Sequence, residues 1–426
     1  MKQRLINLQE ILVLFLPLAL LTGNFFPDLI VVILGVSFLA CVNFKNENKY
    51  FKNYFFISFS FFWIAMVISS LLSEMPSFSI QSSLPYIRFL FFSLSIWYLI
   101  DNKENFIKNF TIILICTFII VIADGYIQYF SGSSIFGYDY ERDRLTVLIS
   151  GNKSIGTYLS RLYPLLIAVA LLIYSKNAKV VFLLAVIFIL IDVLIFLTGE
   201  RVAFFNLMLS TIIFILLINR WKKIRLFSFL ISIALIFSIL IIDTNVKKRM
   251  IDHTIKQTNI AREGGEKIYL FSGEHQNYYT TSIKMFLDNP ILGIGPKMYR
   301  HVCKEERYFS WTKHYPIVNS CSTHPHGTFF QLLAEVGIVG IFPYLLAFFS
   351  IVYIFIKRFF EVLSKKQSTL SDYETCLMIA LVISLWPLIP TMQFFHNWIS
   401  IIYFFPVGFL LSYQNRDLIK KEDSYD

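Results

Sequence analysis

Continuous apolar runs, separated by short polar or charged stretches, recur along the whole chain. Apolar and polar residues do not alternate within the runs, so they read as helices and not as barrel strands. A helix that crosses a bilayer needs about 20 predominantly apolar residues. Twelve such helices are expected, near 8–22, 28–44, 54–72, 86–100, 110–122, 155–174, 180–198, 202–218, 226–242, 327–356, 377–395 and 398–413. The chain then divides into helices one to nine within 1–242, one large loop at 243–325, three helices within 326–413, and a tail at 414–426. The first run has a basic start and an apolar middle but no small-x-small cleavage pattern, and reads as a retained helix. No internal repeat of a transporter kind is visible.

Composition agrees with an all-α polytopic membrane protein. Hydrophobic residues make up 56% of the chain and charged ones 15%, which leaves more apolar surface than a soluble domain hides. The net charge of +10 is read by position, because Lys and Arg orient membrane proteins. They gather in alternate loops, among them Lys45, Lys49 and Lys52, Lys176 and Lys179, Arg220 to Arg225, and Lys357 to Lys366. Both termini are therefore expected in the cytoplasm and 243–325 on the outer side. The outer loops carry few cations, chiefly Arg142, Arg144 and Lys153. Basic residues scattered among apolar spans do not point to a nucleic-acid partner; membrane lipids are the expected surroundings. Cys303 and Cys321 fall on the outer side, where an oxidising compartment permits a bridge; the sequence leaves bridge and free thiols both open.

Polar residues at the outer ends of helices carry the candidate chemistry. His326 is expected to open helix ten, with Pro325 in its first turn. Counting in helical steps, Phe330, Leu333, Gly337, Gly340 and Tyr344 return to its face. That glycine stripe invites a close backbone neighbour, and Pro343 is the expected site of a kink. The helix dipole at that end favours a neutral imidazole, the form a general base needs. Arg201, in "LTGERVAFF", is placed to grip phosphate or to pair with Glu200. Arg161 lies inside helix six, where an arginine is a functional suspect by default, with Asp124 as a possible partner. Arg88 reads as a snorkelling residue. Gly293 and Gly295 read as a tight turn returning the large loop to the membrane. No His/Cys/Asp/Glu set has metal-ligand spacing, and no nucleophile elbow or phosphate-binding loop appears.

The run "HPHGTFFQLLAEVGIVG", with His326, Gln331, Glu335, Gly337 and Gly340, resembles the signature of the O-antigen ligase family and the related polymerases. "LTGERVAF" resembles the family's arginine-bearing turn, which falls on Arg201, and "DNPILGIGPKMY" resembles a late stretch of its large outer loop. The resemblance covers roughly 155–356. It implies a metal-independent, cofactor-free glycosyltransferase of the bacterial inner membrane, working at the periplasmic face. It implies a glycan donor on undecaprenyl pyrophosphate, and lipid A-core or a second lipid-linked glycan as acceptor, commonly with inversion. His326 would be catalytic, Arg201 substrate-binding, and Gly337 and Gly340 structural; Arg161, suspected from its place inside helix six, is the further expected substrate-binding residue. Two positions depart from the family. Gly327 follows the histidine where Asn, Ser or Gln is usual. Glu274 and His275 stand where the family often has an arginine, so His275, or Lys284 instead, takes that phosphate contact. A lipid-linked sugar transporter without chemistry is the competing class, but the spans offer little polar path.

Overall fold

The computed structural model describes residues 2–140, 144–146, 153–174, 177–258, 271–309, 320–365 and 369–422; Arg142, Lys176 and Lys366 lie outside them. Among the described residues helices take 77% and no strand occurs. In chain order they are α1 (Lys2–Ala19), α2 (Phe25–Cys41), α3 (Tyr54–Leu71), α4 (Pro76–Ser83), α5 (Arg88–Asn102), α6 (Phe106–Ser131), α7 (Ile155–Tyr174), α8 (Ala178–Leu197), α9 (Arg201–Leu217) and α10 (Lys222–Ile242). Then follow α11 (Thr244–Lys247), α12 (His253–Thr258), α13 (Gly273–Asp288), α14 (Tyr299–Val302), α15 (Thr328–Leu363), α16 (Asp372–Ser384) and α17 (Asn397–Glu422).

Among the described residues seven spans are long and apolar enough to cross a membrane: α3, the α4–α5 pair, α6, α7, α8, α10 and α15; α2 and α9 are apolar but shorter. The chain is a multi-pass membrane protein. α7 is its central helix, with 89% of its apolar window buried, against 22% for α10 at the edge. It packs on α16, α9, α6 and α8. An arginine on α7 is therefore placed inside the bundle.

Charged contacts show which helix ends lie together. Arg88 donates to Asp28 (3.0 Å) and to Asn397 (2.7 Å), so α5, α2 and α17 begin at one end. That pairing, rather than snorkelling, is what holds Arg88. At the opposite end Arg358 donates to the Leu217 carbonyl (2.8 Å) and bonds Asp372, tying α15, α9 and α16. Inside the bundle, Arg225 of α10 and Asp192 of α8 form a fully buried pair at 2.6 Å, with Ser232 donating to the same carboxylate at 2.9 Å. Breaking such a pair leaves an uncompensated charge in a dry interior.

Several helices differ in extent from the sequence reading, α6 being longer and α17 running on to Glu422 through the expected tail; two of the differences build the site. α16 stops at Ser384 instead of running to 395. Pro387 and Pro390 explain the stop, since each lacks the N–H that a continuing helix uses. α15 begins at Thr328, behind Gly327 as its cap, and leaves His326 outside with φ +55. Its kink is at Gly337 (φ 61, ψ −163) rather than at Pro343.

The break at Gly337 is filled by segment 289–295. Ile294 N–H and Gly295 N–H donate to the carbonyls of Ala334 (3.0 Å) and Glu335 (2.9 Å). Ile338 N–H and Val339 N–H donate to Pro290 (2.9 Å) and Ile291 (3.2 Å) in turn. The inserted segment thus satisfies the groups that the broken helix leaves open, as buried backbone requires. Gly293 (φ 68) and Gly295 (φ 104) make the expected tight turn.

Candidate functional site

His326 sits on the strap 320–327 between the large loop and α15. A disulfide joins Cys321, at the start of this strap, to Cys303, just after α14, with Cα atoms 5.0 Å apart. The His326 carbonyl accepts from Thr391 N–H (2.8 Å) and from the Tyr279 hydroxyl (3.2 Å). Its Nε2 lies 3.3 Å from Ser322 Oγ. The left-handed backbone is costly for a residue with a β-carbon, and these contacts from three segments hold it. Gly327 finds its reason here: a β-carbon on it would lie 2.9 Å from the Tyr279 ring. That ring stacks on Phe330 at 4.0 Å between centroids, which seats α13 against α15.

Three further imidazoles surround His326. The ring centroids of His324 and His275 lie 4.0 Å and 5.8 Å from its own. His396 reaches the same space from the segment before α17. Burial pushes His326 below the usual histidine range. Burial, then His326 and Arg201, push His275 down to about 4. Burial, with His326 and Arg300 adding, pushes His324 down to about 3. Neutral rings are the outcome that the helix-dipole argument expected, but burial is the cause.

These rings line a cavity of about 490 Å³ together with Arg144, Arg161, Arg201 and Arg249. The volume is that of a ligand pocket. Arg161 is 2% exposed, lies 5.2 Å from the Tyr403 ring, and has no hydrogen-bond partner for Nε among the described residues. Asp124 does not pair with it and accepts instead from Ile135 N–H at 2.7 Å. Arg201 donates to Gln257 (2.7 Å) and Thr254 (3.2 Å) on α12. Glu200 is the single carboxylate among the described residues of the lining. Its oxygens accept from Gly156 N–H (2.8 Å), Thr157 N–H (3.0 Å) and the Thr157 hydroxyl (2.6 Å), so it caps α7 rather than pairing with Arg201.

The structure thus brings His326, Arg201, Arg161 and His275 to one cavity. Gly337 and Gly340 belong to the broken helix behind it. Lys284 points elsewhere, donating to the Phe309 carbonyl. Arg144, Arg249 and His396 are lining residues that sequence reasoning missed. Nothing local marks them: Arg144 and Arg249 sit among other charges in the outer connections, and His396 lay in the two-residue gap between the expected helices 377–395 and 398–413. The two prolines before it were the available signal.

Gln331 and Glu335 hold the walls together. Glu335 accepts from Tyr299 N–H (3.1 Å) and from the Gln331 amide (2.9 Å), and the Gln331 oxygen accepts from Phe394 N–H (2.8 Å). One buried pair therefore joins the large loop, α15 and the segment 385–396. Among the described residues no group of three or more His, Cys, Asp and Glu is arranged to hold a metal ion. What the cavity offers is concentrated positive charge for an anion and neutral imidazole beside it.

Residues 184–345 match the family described as O-Antigen ligase. No curated protein matches the chain. The matched stretch includes Arg201, Arg249, His275, the inserted segment and His326, and it supports a membrane glycosyltransferase of the ligase or polymerase type acting on lipid-linked glycans.

Proposed function

We propose, for a chain whose residues 184–345 carry an O-antigen ligase domain, that it moves a glycan from undecaprenyl pyrophosphate to an acceptor hydroxyl at the periplasmic face of the bacterial inner membrane. The observation that carries this reading is the convergence of four arginines and His326 on one cavity. Guanidinium forks match phosphate oxygens in pairs. Arg161, Arg201, Arg144 and Arg249 bind the pyrophosphate and take up the charge it gains on leaving, the task a divalent cation performs in other transferases.

His326 accepts the proton of the acceptor hydroxyl. The oxygen then forms a bond to the anomeric carbon while the carbon–oxygen bond to pyrophosphate breaks. The electron pair of that bond stays on undecaprenyl pyrophosphate, and the imidazolium returns its proton to water. A single displacement inverts the anomeric centre. His275, neutral at pH 7, contributes a hydrogen bond rather than a charge to the phosphates.

The acceptor in this reading is lipid A-core, which makes the activity ligation. Purified protein mixed with undecaprenyl-pyrophosphate glycan and lipid A-core should form the joined product. Product formed only with a second lipid-linked glycan would assign polymerisation instead. Donor binding with no transfer to either acceptor would overturn the enzymatic reading.

A further inference from the structure

Beside the arginine cavity lies a second one of about 350 Å³. The two share Arg144, Thr157, Glu200, Met392 and His396, so they are chambers of one space. The second chamber lies towards α1, α2 and α17, where Leu20, Asn24 and Trp398 line it, and Lys153 and Ser154 close the side before α7.

Its chemistry differs from that of its neighbour. Besides the shared Arg144 guanidinium and Glu200 carboxylate, it mixes an amide, two hydroxyls, an imidazole and an ammonium with the apolar surfaces of Leu20, Met392 and Trp398. A polyprenyl tail would need an apolar lining throughout. A pyranose ring suits the mixture: its hydroxyls donate and accept, and its C–H faces lie against apolar surface. Two buried polar atoms in the shared lining, His396 Nδ1 and Arg144 Nε, have no hydrogen-bond partner among the described residues. The other ring nitrogen of His396 lies 3.4 Å from Asn24 Nδ2. A group left unpaired in a buried place is stabilised by a ligand that bonds it.

We infer that the second chamber is a saccharide subsite, which holds one sugar residue of a glycan next to the pyrophosphate site. The inference rests on the glycosyltransferase reading above. The sugar comes either from the donor, as the residue bonded to pyrophosphate, or from the acceptor.

The test uses purified full-length protein and the variants Asn24→Ala and Lys153→Ala, with thermal melting to confirm folding. Asn24→Trp, which fills the chamber, is the third. Binding is measured for sugar-free undecaprenyl pyrophosphate and for the same lipid carrying its glycan, and KM is measured for the acceptor. Each alanine variant should bind sugar-free lipid normally. It should lose about 3- to 10-fold on the glycan-bearing donor, or in acceptor KM, for one lost hydrogen bond; Asn24→Trp should lose more. A loss on the donor identifies the donor sugar, and a loss in acceptor KM identifies the acceptor sugar. Folded variants that bind sugar-free lipid and match wild type in both measures would overturn the subsite alone. Wild-type protein that binds no undecaprenyl pyrophosphate would overturn the glycosyltransferase reading and the subsite with it.

Discussion

A β-carbon on Gly337 would lie 2.4 Å from the carbonyl oxygen of Ile291. The same residue has φ +61, a conformation that costs a non-glycine residue on the order of 1–3 kcal/mol. Clash and conformation act together, so Gly337→Ala should push segment 289–295 out of α15 and lower the melting temperature of the detergent-solubilised protein. Gly340→Ala is the companion: its β-carbon would meet Val336 at 2.5 Å, in the turn after the break. An unchanged melting temperature for Gly337→Ala would mean that the segment does not seat in the break.

His326→Ala should reduce transfer on the order of 10²–10⁴-fold, the effect of one general base. Donor binding should survive, because the arginines hold the phosphates. His324→Ala should do less harm. A chelator should leave the wild-type rate unchanged. Turnover and donor affinity measured on the same preparation decide the matter; a His326→Ala protein with near-normal turnover has its base elsewhere.

Arg201→Lys keeps the charge but loses the fork that matches two oxygens. Affinity for undecaprenyl pyrophosphate should fall roughly 10- to 100-fold, as for a lost charge-assisted hydrogen bond. Folding should hold, because the side chain's other partners, Thr254 and Gln257, lie on a short helix at the edge of the cavity. Wild-type affinity would assign Arg201 to the support of α12 alone.

Replacing Cys303 and Cys321 by serine removes the tie at the start of the His326 strap. Loss of a bridge closing a loop of this size costs roughly 2–4 kcal/mol. Turnover should fall more than donor affinity, since the strap carries the base and not the arginines. Equal turnover in the double serine variant would show that Thr391 and Tyr279 suffice to hold His326.

Acid should destabilise the site before it reaches the donor-binding arginines. His275 and His324 have folded-state values of about 4 and about 3, against 6.5 for the free side chain. Between those limits the unfolded chain binds protons that the folded chain does not, so stability falls as pH drops from about 6.5 towards 4. The melting temperature should decline across that window, and less so in His275→Gln. A flat profile would show that neither ring is buried as neutral imidazole.

Much of this was legible in the sequence, for physical reasons that differ between elements. Long apolar runs give α6, α7 and α15 directly, because continuous hydrophobicity is what a bilayer selects. The turn before α9 and the histidine before α15 stood out as polar groups where apolar ones prevail. The break at Gly337 did not, because a helix opened by an inserted turn has the composition of an unbroken one. The unwound segment 385–396 was also missed. Hydropathy averages over Pro387 and Pro390, although both lack the N–H that the helix needs. Arg249 and His396 reach the cavity only through tertiary folding, and no periodicity announces them.

The turn between α8 and α9 has no slack. Glu200 reaches back to the first residues of α7, and the very next residue begins α9 with its guanidinium in the cavity. One extra residue between them would rotate Arg201 about 100° around the α9 axis. Restoring its direction would pull the Glu200 carboxylate off α7. The length of this connection is thus fixed as firmly as its composition. A tag or reporter that many membrane loops would tolerate has no neutral place to enter here.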